Sequence, residues 1–216
     1  MPSAPSLTER RKAATELEIA RAAAALFAEH GTAVTADDIA RAAGVALRTF
    51  YRYFRTKEDA VAPLLAVGVR QWLAGLRRLA EEADGPSVRD VLERAARQAL
   101  TPSDERAAEA LRWTRGLLRA MRDDPALRAV WHRVHHDSEE ALIPVLAGLT
   151  GAGAPEARLA AAAANTAMRV AVETWAAADD DAPDERTDGP AEPAELVVRN
   201  MRALTAGLPG LDRRRT

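Results

Sequence analysis

Residues 44–58 read GVALRTFYRYFRTKE, a run in which Arg48, Arg52, Arg55 and Lys57 are interleaved with aromatic rings and no carboxylate precedes Glu58. Side chains of these types suit a polyanion. Arginine grips guanine through two parallel hydrogen bonds, whereas hydroxyls and an ammonium suit phosphate oxygens. On a short helix Phe50 and Phe54, four apart, turn inward together. The outside is then left to Ala46, Leu47, Arg48, Thr49, Tyr51 and Arg52. Arg48 and Arg52, with Ala46 and Leu47 beside them, are candidates for base edges, and Thr49, Tyr51 and Lys57 for phosphates. On charge alone, an ordinary solvated basic face explains the run equally well.

A second cluster, WHRVHHDSEE at 131–140, holds three of the chain's four histidines. His132 and His136 stand i, i+4 with Glu140 another turn on, a spacing that can hold a metal. Neither HExxH nor ExxH accompanies them, so the expectation is polar helix surface and no metal site. Ser138 follows His135 by one turn but lacks the strained turn of a nucleophile. There is no glycine-rich phosphate loop, no GxSxG motif and no cysteine. Neither an enzyme nor a cofactor is expected. The absence of cysteine also rules out disulfides and thiolate sites and fits a reducing cytoplasm.

The elements that must hold the basic run are helical. Apolar residues make up 48% of the 216, yet aromatics only 4%, because alanine dominates. That composition, studded with Arg and Glu, predicts an all-α fold. Ile19, Ala22, Ala23, Leu26 and Phe27 form one apolar stripe, predicting a helix over 9–29 that Gly31 closes. Thr35 offers an N-cap oxygen with Asp38 three residues on. Ile39, Ala40 and Ala43 are the buried side of a short second helix stopped by Gly44. Only Gly44 and Val45 then separate it from a third helix over 46–53, a helix-turn-helix pattern. Eight residues at 1.5 Å each make that helix about 12 Å long, similar to a B-DNA major groove's width. Residues 1–57 carry nine basic and six acidic side chains, the remainder 21 and 26, so a basic head precedes an acidic body.

Further helices are predicted over 57–83, 87–100, 103–122, 125–148, 155–178 and 193–206. Thr56, with Asp59 three residues on, caps the first of these. The later starts are marked by Gly85-Pro86-Ser87, Thr101-Pro102-Ser103, Asp124-Pro125 and Ala154-Pro155. Pro63 and Pro144 should bend or interrupt their helices. The acid-rich segment around 179–190 reads as a mobile loop. No apolar run reaches signal-peptide or membrane-spanning length, so a cytoplasmic location and no membrane partner are expected.

The stretch IARAAGVALRTFYRYFRTKEDAV resembles the DNA-binding segment of the TetR family of bacterial transcriptional regulators, and the resemblance covers about the first 65 residues. It implies that Thr35 caps the second helix near a phosphate, that Thr49, Tyr51 and Lys57 grip phosphates, that Tyr53 packs or touches one, and that Arg48 and Arg52 read bases. Ala46 departs from the small hydroxyl residue frequent there in the family, which puts one cap or phosphate contact in doubt. Arg10, Arg11 and Lys12, at the N-terminal edge of the predicted first helix, are either a basic arm toward the minor groove or a frayed end.

The resemblance implies an N-terminal three-helix head over 1–56, a larger helical ligand-binding and dimerisation domain over 57–208, and a disordered basic tail over 209–216. The expected function is a ligand-released repressor that binds a palindromic operator on duplex DNA as a homodimer; the alternative is a helical scaffold or adaptor without specific DNA binding. In the family the last two helices pair with their copies. The alanine run of 155–178 and Leu196, Val197, Asn200, Met201 and Leu204 suit that pairing, though they suit an ordinary core as well. Trp72, Leu76, Trp113, Leu117, Met121, Trp131, Met168 and Trp175 are candidates for a pocket taking an apolar or amphipathic effector, or are packed core. LRAMRDDPALRAVW and RVAVETW most resemble the subgroup whose C-terminal domain is described as acyl-CoA-like ligand binding.

Overall fold

The computed structural model of the chain describes residues 6–81, 87–178 and 192–212. The predicted acidic loop at 179–190 lies outside the described residues. Among those described, every regular element is helical: α1 (Leu7–His30), α2 (Ala36–Ala42), α3 (Leu47–Tyr53), α4 (Ala62–Ala80), α5 (Val88–Leu100), α6 (Glu105–Ala120), α7 (Pro125–Thr150), α8 (Ala154–Ala177) and α9 (Pro193–Thr205), with 3-10 turns at Gly31–Ala33 and Asp59–Val61.

Local chemistry sets most boundaries. Ser6 with Glu9, Thr35 with Asp38 and Ser87 with Asp90 form reciprocal capping boxes at the starts of α1, α2 and α5. Because α1 starts at Leu7, Arg10, Arg11 and Lys12 lie inside its first turns and do not form an arm ahead of it. The helix expected from 57 begins only at Ala62: the Asp59 N–H donates to Thr56 Oγ1 at 3.1 Å, and a 3-10 turn intervenes. Pro63 thus falls in the first turn, where its missing N–H breaks no helical bond, and it does not bend α4. Pro144 lies within α7, yet the helix runs on to Thr150. The carbonyl left without a donor, that of Glu140, belongs to an exposed residue, so water can serve it. Asp104, not Ser103, caps α6, accepting the Ala107 N–H at 2.8 Å.

Two compact units result. The first comprises residues up to Val67 together with 116–132, the second 68–115 with 133 onward. This division departs from the expected boundary at 56/57, because α4, α6 and α7 each carry residues of both units. The core of the first is built from Ile19, Ala20, Ala23, Ala24, Phe27, Ile39, Ala40, Phe50, Ala60 and Val61. The buried stripe of α1 is rotated from the predicted one: Ala20 and Ala24 are inside, whereas Ala22 and Leu26 are only half-buried. Gly116 of α6 packs on α1 so closely that a Cβ there would stand 2.6 Å from Ala28 Cβ. Only glycine permits that crossing.

In the second unit α9 packs against both α8 and α5. Salt bridges Arg97–Glu195 at 3.0 Å and Arg202–Glu93 at 2.9 Å join α5 to α9. Arg89 of α5 holds both Asp212 oxygens, at 2.8 and 3.0 Å, and its backbone N–H donates to the Leu211 carbonyl at 2.9 Å. Leu211 is fully buried, so the disordered tail expected from 209 is instead docked as far as 212. Buried Leu211 and the Arg89–Asp212 ion pair supply the anchor that the basic composition of the tail concealed.

Candidate nucleic-acid interface

The head presents α3 on a turn that glycine makes possible. Gly44 has φ +66°, a left-handed conformation that costs other residues energy, and the Val45 N–H returns to the Ala40 carbonyl at 2.9 Å. Ala46 is the N-cap of α3 and has no side-chain cap. Its carbonyl accepts the N–H groups of Thr49 at 2.7 Å and Phe50 at 3.0 Å. Phe50 and Phe54 are both buried, 5.7 Å between ring centroids, which sets the rotation of α3.

That rotation leaves Ala46, Leu47, Arg48, Tyr51 and Arg52 exposed, with Thr49 and Tyr53 half-buried. Leu47 is 38% and Tyr51 55% exposed, so both side chains are available on the outer face of the helix. Tyr51 packs edge-on against Phe50 at 5.4 Å, so its ring is braced while its hydroxyl end projects outward. The Arg52 guanidinium lies over the Tyr53 ring, 5.2 Å from the centroid, while Arg48 forms no ion pair among the described residues. Of the two arginines, Arg48 is therefore the freer to reach a base edge. Arg55, given no role from the sequence, is exposed directly after α3 and belongs to the same basic surface.

Lys57 does not stand as a free ammonium. Its Nζ donates to the carbonyls of Thr32 at 2.8 Å and Val34 at 2.7 Å, and lies 5.8 Å from the centre of the Phe27 ring. Two of its three N–H donors are thus spent on the segment that leads into α2. The spacing of Lys57 from α3 suggested a phosphate ligand; only the fold brings residues 32–34 beneath it. Thr35 is similarly occupied, its Oγ1 donating to Asp38 and accepting the Asp38 N–H at 3.2 Å. The Thr35 hydroxyl and, second to it, the Thr35 backbone N–H at 3.1 Å both donate to the Asp38 carboxylate and, with a smaller contribution from nearby Arg41, hold it below its ordinary pKa.

The sequence-derived pocket residues do not gather in one unit. Leu117, Met121 and Trp131 belong to the first, and Trp72, Leu76, Trp113, Met168 and Trp175 to the second. Trp113 and Trp175 are only half-buried, and the Arg115 guanidinium lies over the Trp175 ring at 5.1 Å. His132 and His136 are exposed, Glu140 pairs with Arg158 at 3.4 Å, and no metal-binding group of three or more ligating side chains forms among the described residues. No described helix is long and apolar enough to cross a membrane.

The description "Bacterial regulatory proteins, tetR family" matches residues 19–62, which run from the core of α1 through α3 to the start of α4. The chain carries a TetR-family head. Over 49 residues it is 53% identical to a protein of Mycobacterium tuberculosis named as a mycofactocin biosynthesis transcriptional regulator, MftR, a match covering 22% of this chain and 25% of that one. The chain thus spans about a quarter of the length of the curated relative it matches. Among solved structures, the TetR family repressor AlkX of Dietzia sp. is 20% identical with a TM-score of 0.56, covering 91% of this chain and 98% of that one. Thermus thermophilus FadR, a TetR family repressor in complex with lauroyl-CoA, is 25% identical with a TM-score of 0.51, covering 89% of this chain and 94% of that one. These likenesses extend the TetR architecture beyond the head, to the helices of the second unit.

Proposed function

We propose that this protein is a DNA-binding transcriptional regulator, a repressor that grips a palindromic operator as a homodimer and releases it when a small apolar or amphipathic molecule binds. The observation that carries this reading is the outward face of α3: exposed Arg48, Arg52 and Tyr51 with no carboxylate among them, on a helix locked by buried Phe50 and Phe54. Arg48 takes a base edge, Arg52 a base edge or the backbone, and Thr49 and Tyr51 phosphates, with Ala46 and Leu47 against the groove floor.

A single helix of seven residues reads too few base pairs to bind tightly alone, and two heads on a dimer read two half-sites. For the dimer, the outward sides of α8 and α9 offer Leu159, 55% exposed, then Ala162, Ala163, Thr166 and Val170 at helical spacing, with Asn200 and Leu204 on α9. The solved neighbour that holds lauroyl-CoA favours an effector with an apolar body.

The test is binding of labelled duplexes selected from the source genome, measured beside scrambled duplexes of equal length. Nanomolar affinity for a selected palindrome and at least about a thousandfold weaker affinity for the scrambled sequence are expected. Equal affinity for both would leave only a basic helical scaffold.

A further inference from the structure

The second unit buries polar groups where its core should be apolar. His135 on α7 and Asn165 on α8 are 5% and 4% exposed, and His135 Nδ1 lies 3.2 Å from Asn165 Oδ1. Ser138, one turn beyond His135 on the same side of α7, is 1% exposed, and its Oγ has no hydrogen-bond partner among the described residues. Even the carbonyl one turn back, the usual resort of a helical serine, does not accept it. Trp72, likewise 1% exposed and in the same unit, has an indole N–H without an acceptor among the described residues. The neighbouring inward positions of α7 and α8 are apolar: Val134 and Leu142 on one, Ala161, Ala164 and Met168 on the other.

A buried hydroxyl left without a partner is destabilising, whereas alanine in its place would leave no polar group unsatisfied. We propose that the seam between α7 and α8 is a recognition site for an uncharged oxygen-bearing group, an alcohol or ketone on an apolar body, with Ser138 as its hydrogen-bond partner and His135, steadied by Asn165, beside it. The proposal rests on the effector-binding reading above and narrows it.

Donor chemistry sets the ligand class. Ser138 Oγ–H both donates and accepts, so an alcohol or a carbonyl oxygen completes it. Charge decides the rest. The nearby cation on the inner part of α8, Arg169, is already bound to both oxygens of Glu173, at 3.1 and 2.9 Å. A carboxylate or phosphate buried at this seam would lose its hydration with only the His135 imidazole beside it to set against its charge, whereas a hydroxyl or carbonyl satisfies the site without a counter-ion.

Titration calorimetry of the full chain, without DNA, tests this with 1-octanol, 2-octanone and octanoate as probes. The two neutral probes should bind and octanoate at least tenfold more weakly. Ser138→Ala should weaken the neutral probes about tenfold, while its melting temperature without probe stays at or above that of the parent, since an unsatisfied hydroxyl is removed. Tight octanoate binding, absence of binding by the neutral probes, or unchanged affinity in Ser138→Ala would each overturn the proposal. Because no DNA is present, failure here leaves operator binding untouched, and failure to find an operator leaves this result standing.

Discussion

At the scale of single residues, the head holds side chains proposed to meet DNA and one, Lys57, that braces the segment leading into α2. Arg48 is exposed and without an ion pair, so Arg48→Ala should cost about 1–3 kcal/mol per half-site on the operator, little on scrambled duplex, and relax preference at one symmetric base-pair position. Equal losses on both duplexes would make Arg48 a phosphate clamp. Lys57 leads to a different expectation. With Nζ committed to the Thr32 and Val34 carbonyls, the first bond exposed and the second half-buried, Lys57→Met should remove both bonds and lower the stability of the head by about 1 kcal/mol. A phosphate ligand would instead contribute to the salt dependence of binding, about one unit of slope per contact. We therefore expect a lowered melting temperature and an unchanged slope of affinity against salt. A slope reduced by one unit at unchanged melting temperature would return Lys57 to the phosphates.

At the scale of elements, α8 shows both what was legible in the chain and what was not. Capping boxes at Thr35–Asp38 and Ser87–Asp90, the left-handed Gly44 and the Phe50–Phe54 pair are all local, and local chemistry places α2, α3 and α5 within a residue or two. The inward side of α8 is not a local property. Over residues 160–164 every position is alanine, so that stretch has no polar side to point outward, and its packing against α9 and α7 decides which side is buried. Ala164 and Ala167, which the alanine run suggested for a dimer face, are fully buried within the chain itself, as are Val197 and Met201 of α9. Ala163, one residue away, is half-buried and turned outward. The pair separates two failures. Ala164→Arg should unfold the second unit, since a long charge has no room or counter-ion there. Ala163→Arg with Leu204→Arg should keep native helicity but sediment as a monomer and lose tight operator binding. A dimer that survives the double substitution would move the interface away from α8 and α9.

At the scale of the whole molecule, the proposed release requires an effector in the second unit to alter the grip of the first. Three helices, α4, α6 and α7, each carry residues of both units. Any molecule that weakens operator binding about 5- to 150-fold supplies about 1–3 kcal/mol of coupling, and linkage requires the operator to weaken that molecule's binding by the same factor. The changeover in α4 falls at Gly68, which is exposed and has open space where a Cβ would stand. Glycine there softens the helix without serving any close contact, and alanine should stabilise it by about 0.5–1 kcal/mol. If α4 transmits the signal by bending at that point, Gly68→Ala should raise the melting temperature and leave the separate affinities for operator and effector nearly unchanged. It should also shrink the coupling factor, read as the ratio of operator affinities with and without saturating effector. A stiffer variant with undiminished coupling would take the lever away from α4 and assign it to α6 or α7, the other helices shared by the two units.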